Sequence, residues 1–167
     1  MIKIKKKKKS GYAVLELLFY IALFAVLSIV VIDAMITMAK SFKETSIQAE
    51  LVRSGTIMER ISREVRGSYG IDPISTSTDL KLNTKDSGGA NKTVEFKFVG
   101  SDVQLWDAGS NIGNLNTLNI IVTALNFTQI TTVKGKAVRI FLTVKSTNDT
   151  LSRTQDFYDT VVLRGSY

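Results

Sequence analysis

The stretch that decides the fold runs from Lys5 to Arg66, KKKKKSGYAVLELLFYIALFAVLSIVVIDAMITMAKSFKETSIQAELVRSGTIMERISREVR. Three segments follow one another in it. A lysine block, Lys5 to Lys9, meets Ser10-Gly11. An apolar run from Tyr12 to Ile32 follows, interrupted by one charge, Glu16. A continuation from Asp33 to Arg66 contains no proline and changes character from wholly apolar to amphipathic. At about 1.5 Å per residue a helix over Tyr12–Ile32 covers roughly 30 Å, the hydrocarbon thickness of a bilayer. The lysines lie on one side of it only, which predicts an N-terminus held in the cytoplasm and an exported remainder. The apolar run is longer than the core of a secretory signal peptide, and no good small-residue cleavage site follows it. A membrane anchor is therefore expected.

Glu16 is out of place in a plain anchor. A carboxylate costs roughly 2.5–3.5 kcal/mol near the bilayer centre on insertion scales, and less near an interface. It can sit close to the cytoplasmic face, or it can meet a cation. If the chain were cut between Gly11 and Tyr12, the new α-amino group would lie four residues before Glu16, on the same helical face or on a neighbour's. The same cut would remove the basic leader.

KKSG-YAVLE, a basic leader ending in glycine followed by an aromatic, three apolar residues, glutamate and a long apolar helix, closely resembles the processing site of type IV pilins and type II secretion pseudopilins. Gly11, Tyr12 and Glu16 match that pattern in order and spacing. The sequence departs from it in having Tyr12 where phenylalanine is usual, Ala13 where a small hydroxyl residue is usual, and Asp33 where many major pilins have proline. The resemblance implies cleavage between Gly11 and Tyr12 by a membrane-embedded prepilin peptidase and N-methylation of Tyr12. It also implies that Glu16 neutralises a subunit N-terminus during assembly. The partners it implies are that peptidase, other pilin subunits joined through the N-terminal helix, an inner-membrane assembly platform and the cytoplasmic membrane. The implied location is the cytoplasmic membrane, single-pass with the N-terminus inside, and then an extracytoplasmic or cell-surface filament. The family layout is α+β: a long N-terminal transmembrane and amphipathic helix packed on a C-terminal antiparallel sheet. The segment IMERISREVR and an all-strand domain ending in VVLRGS resemble minor pilins and J-type pseudopilins. Adhesion, DNA uptake and secretion stay open as the task of the filament.

The rest of the chain agrees with that layout. Of the 22 basic side chains, residues 1–11 hold six lysines and no acid, so the net charge of +7 falls to +1 beyond them. The basic balance therefore reports topology and does not indicate nucleic acid. The chain has no cysteine and no histidine. This removes disulfides, the common zinc sites and His- or Cys-based catalysis.

From residue 33 onward Ile47, Leu51, Ser54, Met58, Ile61 and Val65 recur at alternating spacings of four and three, which places them on one stripe of a helix. Lys43, Glu44, Glu50, Arg53, Glu59, Arg60, Arg63 and Glu64 take the other side, with Glu59 and Arg63 spaced for an i,i+4 pair. Gly55 costs a helix roughly 1 kcal/mol relative to alanine, and marks either close packing or a weak point. Arg66-Gly67 reads as the helix end. A continuous helix from Tyr12 to Arg66 would measure roughly 80 Å.

Residues 68–92 read as a polar connecting loop, with at most a short strand near Leu80–Leu82. Strands are expected at Thr93–Val99, Val103–Trp106, Leu118–Ile130 (bent near Ala124–Asn126), Ala137–Lys145 and Asp156–Arg164, with Asp107–Asn116 as a loop. Short turns and no intervening helix imply one antiparallel sheet with a face on the helix stripe.

No catalytic constellation, cofactor motif or metal-ligand spacing is visible, and no enzyme activity or cofactor is expected. Asp102, Asp107, Asp149, Asp156 and Asp159 are acids of the calcium-binding type without an EF-hand spacing, and read as turn and surface residues. Trp106 reads as a core or edge aromatic, and the sequons at Asn91, Asn126 and Asn148 as incidental. The rival from another class is a single-pass anchored extracytoplasmic domain that binds a ligand and does not polymerise.

Overall fold

The computed structural model describes residues 10–133 and 135–164. The lysine block lies outside the described residues. Two helices come first, α1 (Ser10–Arg53) and α2 (Gly55–Gly67). Eight strands follow: β1 (Gly70–Ile71), β2 (Asp79–Lys85), β3 (Asn91–Val99), β4 (Asp102–Asp107), β5 (Ser110–Asn114), β6 (Ile120–Thr132), β7 (Gly135–Ser146) and β8 (Thr154–Val162). The class is α+β, with a long apolar N-terminal helix and antiparallel strands, as the sequence led one to expect. The chain divides into two compact units, Met1–Thr45 and Ser46–Tyr167.

The first unit is the apolar part of α1. Its large apolar side chains, from Tyr12 through Phe42, are exposed on every side of the helix. It is long and apolar enough to cross a membrane. A helix that is apolar all round lacks the polar face that would keep it stable in water.

The second unit holds the core. All six residues of the helix stripe are buried, and Ile57 and Ser62 widen it. The remainder of the core comes from alternating strand positions: Leu80 and Leu82 of β2, Val94 and Phe96 of β3, Val103 and Leu105 of β4, and the long β6, β7 and β8. The intervening residues point outward, as the two-residue period of a strand requires.

Two corrections to the strand reading follow. First, the strands form two sheets and not one: β1-β2-β3-β4-β5, and β6-β7-β8. Both contribute to a single cluster of buried residues. They are joined where β6 meets turns of the first sheet, the Val122 amide donating to the Ser101 carbonyl at 3.0 Å and the Phe127 amide to the Ser77 carbonyl at 2.7 Å. Second, residues 68–92 are not simply a loop. β2 pairs with β3 along its whole length, from Asp79 opposite Lys97 to Lys85 opposite Asn91. Asp86 closes that hairpin, its carboxylate accepting the amides of Gly88 and Ala90, each at 2.8 Å. Likewise 107–116 contains β5. Ala108 and Gly109 take φ of 49° and 82°, the pair of positive values that a two-residue hairpin turn requires, and Asp107 faces Ser110.

The bend expected in β6 is a bulge. Pairing with β7 slips between Val122 and Ala124, leaving Thr123 as the extra residue. The buried positions accordingly switch from Ile120 and Val122 to Leu125 and Phe127, while β7 keeps an unbroken alternation.

Helix details also differ from the sequence reading. A break falls at Ser54, whose amide is shared between the carbonyls of Glu50 (3.1 Å) and Leu51 (3.2 Å) and whose hydroxyl donates back to Glu50 at 2.9 Å. Such back-bonding by serine bends helices. Next to it, a Cβ on Gly55 would lie 3.2 Å from the Phe157 ring, so this glycine permits close approach of helix and strand. On the charged face Arg60 pairs with Glu64 at 2.9 Å, and among the described residues no pair forms between Glu59 and Arg63. Gly67 is the last helical residue. The cap is Ser68, whose amide and hydroxyl both donate to the Val65 carbonyl.

Candidate functional site

Gly11 and Tyr12 lie in the first turn of α1, so the Gly11–Tyr12 bond sits at the very start of the helix. Tyr12 is 79% exposed. Glu16 is exposed one turn later and accepts a hydrogen bond from the Tyr20 hydroxyl at 3.2 Å. Among the described residues no cation pairs with it. Tyr12, Leu15, Glu16, Leu18 and Phe19 together border a shallow apolar depression. The helical spacing brings Tyr12 and Glu16 onto one face, and the Glu16 carboxylate stays free to accept further donors. Tyr20, which holds it, was not singled out in the sequence. The signal was available in its i+4 position.

The acids considered for a cation are dispersed, each with its own partner. Asp102 accepts from Asn114 (2.7 Å) and Asn116 (2.8 Å), Asp107 pairs with Lys92 (2.9 Å), and Asp156 accepts from Thr143 (2.8 Å). Asp159 accepts from Ser62 at 2.5 Å and from the Thr160 amide at 2.8 Å. Asp149 organises the β7–β8 turn. Its carboxylate accepts the Leu151 amide (3.0 Å), the Arg153 amide (2.9 Å) and the Arg153 Nε–H (2.8 Å). The Arg153 side chain is the main reason that this carboxyl is held well below the usual carboxylate range, and the two amides add to it. Trp106 is half-buried on the outward face of the first sheet, with its indole N–H donating to Gln104 (3.2 Å) and the Lys97 ammonium 4.8 Å from the ring centre.

Asp79, on the same outward face, behaves oppositely to Asp149. Burial first, and then the neighbouring Glu95 carboxylate, push its carboxyl upward against the opposing influence of Lys97 and Lys81. Lys97 lies 3.2 Å from Glu95 and 3.9 Å from Asp79, which holds the two acids together.

Two structural features were missed in the sequence. Glu50, read as part of a solvated face, is half-buried and ties the helix to strand ends. It accepts from Ser146 Oγ at 2.8 Å, and from the side-chain amides of Asn119 (3.3 Å) and Asn148 (3.4 Å). Its partners lie 69 to 98 residues away, so no local pattern announces them. The second feature is a cleft of about 860 Å³ between α2 and β8, lined by Glu59, Ser62, Arg63, Arg66, Asp159 and Arg164, with Phe157 at its apolar end.

Comparisons with protein-family models, with curated proteins and with solved structures found no match to this chain.

Proposed function

We propose that this chain is a structural subunit, of the minor class, of a type IV pilus-like filament or type II secretion pseudopilus. In this reading it is made with a basic leader, held in the cytoplasmic membrane, cut between Gly11 and Tyr12 by a prepilin peptidase and N-methylated at Tyr12. An inner-membrane platform then lifts it into a filament with other pilin subunits. The observation that carries the reading is the first unit: an apolar surface, uncovered on all sides from Tyr12 to Phe42, with one carboxylate near its start.

Such a surface must be covered by lipid or by other helices of the same kind. A filament supplies the second as the subunit leaves the first. At Glu16 the carboxylate costs less once a positive group meets it, and the α-amino group of a processed chain is such a group. Subunits placed out of register would leave both charges unpaired in an apolar setting, so the pair selects one axial position. The chain itself performs no covalent chemistry in this scheme and is the substrate of the peptidase and the methylating activity.

A second reading, a single-pass anchored domain that binds a ligand and never polymerises, draws on the cleft between α2 and β8. One measurement separates them: intact mass and N-terminal peptide mapping of the exported protein. A chain beginning at N-methylated Tyr12 is expected. A chain beginning at Met1 or Ile2 would refute prepilin processing and leave the anchored domain.

A further inference from the structure

We infer that Tyr20 is a positioning residue for Glu16: its hydroxyl holds the carboxylate on the helix face where a neighbouring subunit's N-terminus arrives. This deepens the filament reading and rests on it. The Tyr20 hydroxyl donates to Glu16 Oε1 at 3.2 Å, and among the described residues the second carboxylate oxygen has no donor.

The hydroxyls of the apolar run belong to Tyr12, Tyr20 and Ser28, and Ser28 donates to the Phe24 carbonyl at 2.8 Å. Tyr12 and Tyr20 stand four residues before and after Glu16, on one row of α1. The two are not equivalent. Side chains of a helix lean toward its N-terminus, so Tyr20 leans back over Glu16 while Tyr12 leans away from it. The same lean carries the Glu16 carboxylate toward the backbone nitrogen of Tyr12. One oxygen is thus held by a hydroxyl, and the other is left for the α-amino group of a processed chain.

The bond has two consequences in an apolar setting. A hydroxyl–carboxylate bond is charge-assisted, so it offsets part of the cost of the carboxylate before a second subunit is present. It also opposes escape to water. Glu16 lies about 6 Å along the helix from the start of the apolar run, and polar ends near a membrane boundary swing toward the headgroups. Tethered to Tyr20, the carboxylate stays at the apolar depression that it borders with Tyr12, Leu15, Leu18 and Phe19. The aromatic belt of a membrane interface accounts for Tyr12 but not for Tyr20, which lies about 12 Å further along the helix. Phenylalanine at position 20 would give the same apolar surface, so the hydroxyl is the part that anchoring leaves unexplained.

The test compares the full-length chain with Tyr20→Phe, which removes one oxygen and keeps the ring. In vesicles of phosphatidylethanolamine and phosphatidylglycerol, an infrared difference spectrum against Glu16→Gln isolates the Glu16 carboxylate band. Tyr20→Phe should shift that band, and Ser28→Ala should leave it in place. In the producing cells, Tyr20→Phe should be cut and N-methylated like the wild-type chain. Its amount in purified filaments, measured by mass spectrometry, should fall roughly three- to tenfold, the range for loss of one hydrogen bond. Ser28→Ala should enter filaments as the wild-type chain does. An unmoved band, or unchanged incorporation of Tyr20→Phe, would overturn this inference alone. So would failure of the peptidase to cut Tyr20→Phe, which would assign the hydroxyl to peptidase recognition. A wild-type chain that keeps its leader or stays out of filaments would overturn the filament reading, and this inference with it.

Discussion

The residues of α1 before Ser46 and the helical residues after it have the same secondary structure and opposite fates. In the first stretch every large apolar side chain is exposed, on all faces. In the second the apolar residues form one stripe, and that stripe is buried beneath two sheets. The difference is one of pattern more than of apolar content. A stripe with the helical period can be covered by one neighbouring layer and leaves a charged face for water. A helix without a polar face needs cover all round. The second stretch therefore belongs to the fold of the 46–167 unit, whereas the first is long and apolar enough to cross a membrane.

The sharpest way to break this contrast is to make the same truncation in both stretches. Ile61 is fully buried at the centre of the stripe. Ile61→Ala should destabilise the 46–167 unit by about 2–5 kcal/mol, the cost of lost transfer energy plus the cavity left behind. Leu23, 47% exposed, is its counterpart in the first stretch. Leu23→Ala should leave unfolding of the 46–167 unit in detergent micelles unchanged. Urea or thermal unfolding followed by near-UV signals of Trp106 checks both. A matching loss from Leu23→Ala would mean that the two stretches share one core.

The break at Ser54 and Gly55 lies within the packed stretch, and its cause can be tested. A Cβ at position 55 would meet the Phe157 ring at 3.2 Å. Alanine brings a helix gain of about 1 kcal/mol against this crowding, so its net effect should be small. Gly55→Leu adds far more bulk against the same ring, and should cost about 1–3 kcal/mol. Phe157→Ala would relieve the leucine variant while costing stability of its own, and a double-mutant cycle between the two positions should show coupling. Additive effects would show that Gly55 serves backbone flexibility and not approach.

What was legible in the sequence follows from the same contrast. The stripe from Ile47 to Val65 and the strands β3, β4, β6, β7 and β8 announce themselves by period, because each buries one face against the core. β2 was read as a possible three-residue strand because only Leu80 and Leu82 carry its alternation, the rest being lysine, asparagine, threonine and aspartate. β5 was missed because its turn places an alanine, Ala108, where glycine or asparagine is the usual signal. The division into two sheets was hidden because hydrogen bonds from Val122 and Phe127 to distant turns make it, and periodicity cannot show them. The same holds for the cleft. Arg63 and Arg66 were visible as a helix face, but nothing local pointed to Arg164.

The smallest expected effect concerns the turn that grips the packed stretch. Glu50 of α1 is held by Ser146 and Asn148, and Asp149 immediately beyond them organises the β7–β8 turn through Leu151 and Arg153. Its carboxyl titrates well below the ordinary value of about 3.9. A depressed value in the folded state means that the contribution is complete above the ordinary pKa and disappears as the pH falls through the lower, folded one. Between pH 5 and 8 the turn should therefore be insensitive to pH, and it should loosen only in strong acid. Asp149→Asn imposes the loss at neutral pH, since a neutral amide cannot reproduce the charge-assisted bonds to Arg153. Faster proteolytic nicking between Thr150 and Ser152 and faster hydrogen exchange at the Leu151 and Arg153 amides are expected, with the core melt nearly unchanged. Asp79 gives the control of opposite sign. Its carboxyl is raised, so protonation favours the folded state and Asp79→Asn should not loosen the fold at neutral pH. If exchange at Leu151 rises already on going from pH 7 to pH 5, the Asp149 carboxyl is not depressed. The hold on Glu50 must then come from Ser146 and Asn148 without it.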